Sequence, residues 1–229
     1  MVVGSGLLAG VFLRRFEATE NVCVYAAGVS NSSCVDAGEF AREKDRLSTT
    51  LKELQPECML VYFSTCSIYD PDRAQTLYVK HKLAMERLVS ESNNFLIVRL
   101  PQAVGRSANP HTLLNSLYNK IRAGAQVKVW TGAKRNLLDI DDIERICAAI
   151  IDQGTGQNRV LNVANPRNYR VGEIIESFER VLGVKASTVE EKKGGAYEVD
   201  IAGIAEILRT LSLGFNDAYL DNLVRKYYG

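Results

Sequence analysis

Residues 2–9 read Val2-Val3-Gly4-Ser5-Gly6-Leu7-Leu8-Ala9, a short apolar run that passes through two glycines into an apolar helical pattern. A strand, glycine turn and helix in this order are typical of the first unit of a parallel α/β sheet. Gly4 permits the tight turn, Gly6 lets the backbone approach a pyrophosphate, and Ala9 allows the helix to pack closely on the strand. The helix N-terminus offers N–H groups to an anion. Taken alone, the turn fits an ordinary glycine-rich connection equally well.

The rest of the chain alternates short apolar runs with helical stretches, which favours βα units and a parallel sheet. We predict strands near residues 1–4, 22–27, 58–63, 95–99, 127–130 and 159–163. We predict helices near residues 7–17, 38–54, 75–91, 109–123, 141–152, 171–182 and 216–227. The expected fold class is therefore α/β, with a Rossmann-like parallel sheet flanked by helices.

A Tyr-x-x-x-Lys step, Tyr78 to Lys82, follows the third predicted strand and its polar turn Ser64-Thr65-Cys66-Ser67. Residues four apart share one face of a helix, so Tyr78 and Lys82 can touch the same ligand. An ammonium near a phenol favours the phenolate and moves its pKa from about 10 toward neutrality. With the Thr65 hydroxyl beside it, such a phenolate could take a proton from an alcohol. His81, on the same helix, is expected to be exposed.

Two later motifs complete a series. Residues 95–105 form an apolar strand that ends in Arg99-Leu100-Pro101, and residues 134–143 contain Arg135-Asn136-Leu137-Leu138-Asp139-Ile140-Asp141-Asp142. The order of glycine turn, Ser-Thr turn, Tyr-x-x-x-Lys, Arg-x-Pro and Arg-x-x-x-Asp-x-Asp-Asp resembles the extended short-chain dehydrogenase/reductase family. This family comprises NAD-dependent epimerases, dehydratases and reductases of nucleotide-sugars. The resemblance covers nearly the whole chain.

The resemblance implies a role for each matching residue. Tyr78 would be the acid/base, Lys82 would lower its pKa and bind the nicotinamide ribose, and Thr65 would orient the sugar hydroxyl. NAD or NADP would lie against Gly4, Gly6, Ala9, Ala26, Ala27, Tyr78, Lys82 and Pro101, and the nucleotide-sugar against Gln102 and Arg135. Residues 1–104 would form the cofactor-binding core, and residues 105–229 the remaining core strand and helices with a small substrate lobe.

Several of these positions have a second interpretation or a departure from the family. Arg135 could equally form a salt bridge with Asp139 or Asp141, and Asp141 and Asp142 are expected to cap the helix that starts there. Cys66 and Ser67 stand where the family's 4,6-dehydratases carry an Asp-Glu pair, so dehydration is disfavoured. The expected function is an NAD(P)-dependent epimerase or 4-ketoreductase of a nucleotide-sugar.

The spacing after the glycine turn departs from the family. Residues 22–28 (Val-Cys-Val-Tyr-Ala-Ala-Gly) resemble the family's fourth strand, yet only one helix separates them from the turn. The missing second and third strands would carry the acidic residue that binds the adenosine ribose. The sheet is therefore expected to be trimmed to the order 1-4-5-6-7, with the first strand at its edge. The alternative function is a non-catalytic binding or assembly subunit that has lost dinucleotide binding.

The trimmed edge also bears on assembly. An apolar edge strand invites pairing or covering, and the apolar first helix needs a partner surface. We expect a homodimer, formed through the helices at 38–54 and 75–91 as is usual in the family, with the edge at least partly covered.

Composition excludes several other classes. Lys and Arg total 28 against 27 Asp and Glu, so no basic field is available for nucleic acid or an anionic membrane. No apolar stretch reaches the roughly 20 residues that span a bilayer. Five scattered cysteines suit reduced thiols of a cytoplasmic protein. With only His81 and His111, a histidine-based metal site is not expected.

Overall fold

Strands and helices alternate along most of the chain in the computed structural model, which describes residues 1–110 and 112–229; His111 lies outside the described residues. The strands are β1 (Val2–Val3), β2 (Val22–Tyr25), β3 (Met59–Thr65), β4 (Phe95–Leu100), β5 (Gln102–Val104), β6 (Val127–Trp130), β7 (Lys134–Asp139), β8 (Arg159–Asn162), β9 (Asn168–Arg170) and β10 (Thr188–Glu191). The helices are α1 (Leu7–Phe16), α2 (Ala37–Glu53), α3 (Leu77–Ser90), α4 (Leu113–Arg122), α5 (Ile140–Asp152), α6 (Val171–Leu182), α7 (Ala205–Leu211) and α8 (Tyr219–Tyr228). Short 3₁₀ helices occur at Cys66–Tyr69 and Ala202–Ile204.

The central sheet has five parallel strands in the order β1-β2-β3-β4-β8. β1 pairs directly with β2, so that Val2 lies opposite Val24 and Val3 opposite Tyr25. This confirms the predicted Rossmann-like sheet with its first strand at the edge. It also confirms that the strand after α1 takes the place next to β1.

Side chains alternate between the two faces of this sheet, as the period of a strand requires. On one face, α1, α5 and α7 pack over a core that includes Phe12, Val61, Leu96 and Ile143. On the other face, α2 and α3 pack over a second core. Its fully buried members include Tyr25, Leu47, Tyr62 and Ile97. Because the five strands are parallel, their carboxyl ends all lie at the same end of the sheet, between the helices of the two faces.

A smaller lobe has its own apolar core, formed by α4, α6, α8 and the short strands around them. The predicted strand at 127–130 lies here, paired with β10, and not in the central sheet. β5, β7 and β9 form another small sheet. The sequence did not predict β5, β7, β9, β10 or α7: β5 and β9 have only three residues each, and β7 begins with the polar run Lys134-Arg135-Asn136.

The trimmed side of the sheet is partly covered by the chain itself. α1 buries Val11, Phe12 and Phe16 in the core, and Leu7 and Leu8 pack partly against it. Val2 and Val3 of β1 are half-buried, and β1 has no second neighbour among the described strands. The apolar residues of α1 are therefore largely accounted for within one chain. No helix among the described residues is long and apolar enough to cross a bilayer.

The homodimer stays a prediction. We expect light scattering at tens of micromolar to give twice the 25.4 kDa mass of the chain, because α2 and α3 are expected to pair with those of a second copy and β1 leaves an open row of backbone hydrogen-bonding groups. A monomer under these conditions would contradict the prediction.

Candidate active site

A cleft of about 1020 Å³ opens where the carboxyl ends of β1–β4 meet the smaller lobe. Parallel α/β sheets bind ligands at this edge. Of the residues predicted for the site, those that line the cleft are Gly4, Gly6, Ala26, Ala27, Thr65, Tyr78, Lys82, Pro101, Gln102 and Arg135. Ala9 is fully buried and is not among the residues that line the cleft, and its contact with a cofactor stays a prediction. Its small side chain serves the packing of α1.

The glycine turn has the geometry that its sequence indicates. Gly4 adopts φ +129°, and a Cβ on it would lie 2.5 Å from the carbonyl oxygen of Ala26. Both the backbone conformation and the lack of space therefore exclude a residue with a side chain. Gly6 is the N-cap residue of α1, and no side chain caps this helix. A Cβ on Gly6 would meet nothing within 4 Å. The first N–H groups of α1 are thus left uncapped beside the cleft, as an anion site requires.

Tyr78 and Thr65 are brought together at the floor of the cleft. Thr65 ends β3, and Tyr78 stands in the first turn of α3, which Thr76 caps. Burial raises the pKa of Tyr78 to about 12; the charge of Glu43 adds to the rise, while a hydrogen bond with Thr65 and the charge of Arg73 oppose it. Burial thus outweighs the shift toward neutrality that an ammonium four residues away was expected to give.

Lys82, on the same face of α3, is engaged by groups other than Tyr78. Its Nζ donates to Glu43 Oε1 at 3.1 Å, to the Tyr62 hydroxyl at 3.0 Å and to the Phe63 carbonyl at 3.1 Å. An ammonium has three protons to donate, and each of them has an acceptor here. Burial lowers the pKa of Lys82, and the charge and hydrogen bond of Glu43 oppose that effect. The three protons of Lys82 are thus all used within the protein, and its charge is paired with that of the Glu43 carboxylate.

Glu43 is the functional candidate that the sequence did not reveal. Its Oε2 accepts from the Val29 N–H at 2.6 Å and lies 2.9 Å from His81 Nε2, while Tyr62 donates to its Oε1 at 2.7 Å. Burial alone would raise the pKa of Glu43, but the bond with His81, the charge of Lys82 and the other hydrogen bonds outweigh it and lower the pKa to about 2. The signal in the sequence was an acid four residues before Leu47, on the buried face of α2.

His81 is also not where it was expected. Its side chain is only 8% exposed, bonds Glu43 and stacks on Phe40 with ring centroids 4.5 Å apart. The prediction of an exposed histidine is wrong, because the carboxylate of Glu43 supplies a buried partner for the ring.

The far wall of the cleft includes Ser30, Asn31, Ser32 and Ser33, in the loop after β2. Arg73 fixes this loop across the cleft by donating to Ser32 Oγ at 2.9 Å. Among the described residues that line the cleft, the cations are Arg46, Arg73, Lys82 and Arg135, and the carboxylate is Asp70. Such a lining favours a ligand that carries several negative charges.

Arg135 lines the cleft and donates to the Lys134 carbonyl at 2.8 Å. Neither of the alternative salt bridges forms: Lys226 binds Asp139 at 2.6 Å and Asp141 at 2.8 Å. The helix cap is also different from the prediction. Asp139 caps α5 by accepting from the Asp141 N–H at 3.0 Å. Asp141 and Asp142 lie in the first turn of the helix.

Cys66 and Ser67 offer no acid–base pair. The Cys66 thiol is buried and donates to the Arg99 carbonyl at 3.3 Å, and burial raises its pKa to about 12. Ser67 lines the cleft with an uncharged hydroxyl. This arrangement agrees with the expectation that dehydration across two carbons is disfavoured.

Comparison with protein families finds one match. The profile of the NAD dependent epimerase/dehydratase family matches residues 12–164, about two thirds of the chain. The matched part includes Thr65, Tyr78, Lys82 and Arg135, and it begins after the glycine turn. Comparison with curated protein sequences finds no significant match.

Several solved structures resemble this fold over nearly the whole chain. UDP-glucuronic acid 4-epimerase of Bacillus cereus, in complex with UDP-glucuronic acid and NAD, matches with a TM-score of 0.70 and 16% identity over 96% of this chain and 77% of that one. UDP-glucose 4-epimerase of Thermus thermophilus, in complex with NAD, matches with a TM-score of 0.68 and 14% identity over 95% of this chain and 79% of that one. RMD of Pseudomonas aeruginosa, in complex with NADPH, matches with a TM-score of 0.63 and 17% identity over 90% of this chain and 79% of that one. At these identities the likeness establishes the fold.

Proposed function

The chain belongs to the NAD-dependent epimerase/dehydratase family, and from that premise we propose that it is an NAD(P)-dependent epimerase or 4-ketoreductase acting on a nucleotide-sugar. The observation that carries the proposal is the cleft in which Tyr78, Thr65 and Lys82 stand beside the glycine turn. The bound dinucleotide would supply hydride exchange at a sugar carbon.

The residues of the glycine turn fit a dinucleotide. The uncapped start of α1 supports a pyrophosphate at Gly6, because free N–H groups and the helix dipole both favour an anion. Ala26, Ala27 and Pro101 line the neighbouring walls with small or flat side chains. The loop 30–33 and Arg46 also line the cleft. Since an arginine can accommodate the 2′-phosphate of NADP, this lining is compatible with NADP as well as NAD.

Tyr78 is the group that would move the proton. As a phenol it can donate to a sugar carbonyl, and as a phenolate it can take a proton from the alcohol in the reverse direction. The Thr65 hydroxyl, hydrogen-bonded to Tyr78, would hold the reacting oxygen in reach. Both side chains are buried, which excludes competing water.

The substrate end of the cleft supports an anionic ligand. Arg135 presents its guanidinium group there, and Gln102 and Tyr197 offer further polar atoms. Guanidinium groups bind phosphate oxygens in a bidentate manner. A nucleoside diphosphate joined to a sugar carries the negative charge that such a lining favours.

A second candidate function is a binding or assembly subunit without dinucleotide chemistry. The observation that favours it is the Lys82 ammonium, whose three protons are already donated within the protein. The absence of the family's second and third strands from the described sheet points the same way. We favour the enzyme because Tyr78 and Thr65, although buried, both line the cleft.

The test is a panel of UDP-, dTDP- and GDP-linked hexoses and 4-ketohexoses, each incubated with NAD(H) or NADP(H). Sugar NMR signals and nicotinamide absorbance are followed together. Conversion of a nucleotide-sugar supports the enzyme. Binding of nucleotide-sugars without conversion, and without any dinucleotide affinity, would favour the second candidate.

Replacing Gly6 with alanine is expected to weaken dinucleotide binding with only a small effect on the stability of the fold. The stability is expected to fall by only about 0.5–1 kcal/mol: alanine is a poorer N-cap than glycine, but the backbone is extended and the new methyl meets nothing within 4 Å. The methyl would stand between the backbone and a pyrophosphate and weaken dinucleotide binding by about 1.5–3 kcal/mol, roughly 10- to 150-fold. Calorimetry with NADH and NADPH measures the loss, and Gly10→Ala, on the exposed side of α1, is the matched control. Equal affinities in all three proteins would rule out the glycine turn as the binding site.

A further inference from the structure

We propose that Glu43 is a positioning residue that acts through Lys82: its carboxylate keeps the ammonium charged and fixes it at the wall of the cleft. The family resemblance did not identify this residue. The inference rests on the proposed function only where it concerns dinucleotide binding.

The first step is the burial of the pair. The side chain of Glu43 is 1% exposed and that of Lys82 4%. A lone ammonium in such a place loses its hydration and tends to give up its proton, unless an anion lies next to it. Glu43 Oε1, 3.1 Å from Nζ, is that anion. The other two acceptors of Lys82 are a neutral hydroxyl and a carbonyl.

The second step is the rigidity of the carboxylate. Glu43 accepts hydrogen bonds from β3, α3 and the loop after β2, through Tyr62, His81 and Val29. Tyr25 of β2 also donates to the backbone carbonyl of Glu43 at 3.2 Å. A carboxylate held from three sides cannot follow the lysine if that side chain moves. The lysine is therefore anchored to the frame of the sheet.

The third step is the backbone that covers the pair. A Cβ on Gly28 would lie 2.6 Å from Lys82 Nζ and 2.8 Å from Glu43 Oε1. Gly28 lines the cleft next to Ala27. The ion pair thus sits directly beneath the wall where a dinucleotide would lie, and only glycine leaves room for it.

The groups that could disturb a titration of Lys82 are known from the structure. Glu43 and Tyr62 bond the ammonium directly, and His81 bonds the other oxygen of Glu43. Glu86 of α3 acts through space, while its own hydrogen bonds go to Ser64 and Arg99. Glu86→Gln is therefore a matched control: it removes a similarly buried carboxylate that does not touch the lysine.

The experiment follows the lysine directly. Protein with ¹³C-labelled lysine is titrated by NMR, and Lys82→Met assigns the Lys82 signal. We expect Lys82 to lose its proton at lower pH in Glu43→Gln than in the wild type, and to shift less in Glu86→Gln. Glu43→Asp should restore part of the difference. If Glu43→Gln does not fold, Gly28→Ala serves instead, because its methyl separates the two charges and should shift the titration in the same direction.

Binding of NADH and NADPH, measured by calorimetry against pH, gives the second readout. In Glu43→Gln the affinity should fall as pH rises through the new Lys82 pKa, by up to tenfold per pH unit for a one-proton linkage. The wild type should show no such fall in that range. An unchanged Lys82 titration in both Glu43→Gln and Gly28→Ala would overturn the inference. A shifted titration without dinucleotide binding by the wild type would leave the inference standing and refute the proposed function.

Discussion

Replacing Tyr78 with phenylalanine is expected to lower turnover roughly 100- to 10,000-fold, the usual contribution of a general acid or base. The ring stays in its buried place and only the ionisable hydroxyl is lost, so the fold and nucleotide-sugar binding should remain. The assay is turnover of whichever panel substrate the wild type converts. Tyr69→Phe is the control: the Tyr69 hydroxyl is engaged by Asn162 and Arg99 away from the cleft. Activity within a few-fold of wild type in Tyr78→Phe would mean that another group moves the proton.

The pH dependence of the wild type follows from the same side chain. Burial, with a further contribution from Glu43, raises the pKa of Tyr78 to about 12. Below that pH the group is a phenol, so it is ready to donate a proton to a carbonyl. Removal of a proton from an alcohol needs the phenolate, whose population grows tenfold per pH unit below the pKa. We expect the oxidative direction to accelerate with pH, and the reductive direction to lack this rise.

Replacing Gly4 with alanine is expected to lower the free energy of unfolding by roughly 2–5 kcal/mol. Two effects combine: φ of +129° is strained for any residue with a side chain, and the methyl would overlap the Ala26 carbonyl, which belongs to rigid backbone. Urea unfolding followed by circular dichroism measures the change. Gly10→Ala, in the exposed part of α1, should instead stabilise the protein by about 1 kcal/mol. If both substitutions had the same effect, the turn would not have the geometry described.

The frame of the fold could be predicted because each strand of the central sheet is an apolar run bounded by polar or glycine-containing turns. Even the trimmed order was predictable, since only one helix separates Gly4 from Val22 and a parallel connection then places the two strands side by side. Apart from β6, which was predicted, the strands outside the central sheet could not be predicted. β5 and β9 have three residues each, and their pairing depends on contacts between distant segments.

The candidate site, too, could be predicted only in part from the sequence. Tyr78, Thr65 and Lys82 could be recognised from their spacing, but what Lys82 binds could not. Its partner lies 39 positions away on another helix, and a buried glutamate on α2 looks like a surface residue until the fold is known. The raised pKa of Tyr78 follows from burial and, to a lesser extent, from that hidden carboxylate. His81 was predicted to be exposed because its buried partner, Glu43, could not be identified from the sequence.

Titration of the wild type with NADH and with NADPH, followed by nicotinamide fluorescence in the absence of substrate, tests dinucleotide dependence most directly. We predict saturable binding to one site per chain, with a dissociation constant above that of full-length relatives. The missing ribose contacts are worth about 1–3 kcal/mol, roughly 5- to 150-fold in affinity. Absence of saturable binding by either dinucleotide up to millimolar concentration would contradict the proposed enzyme and leave the binding or assembly subunit as the better account.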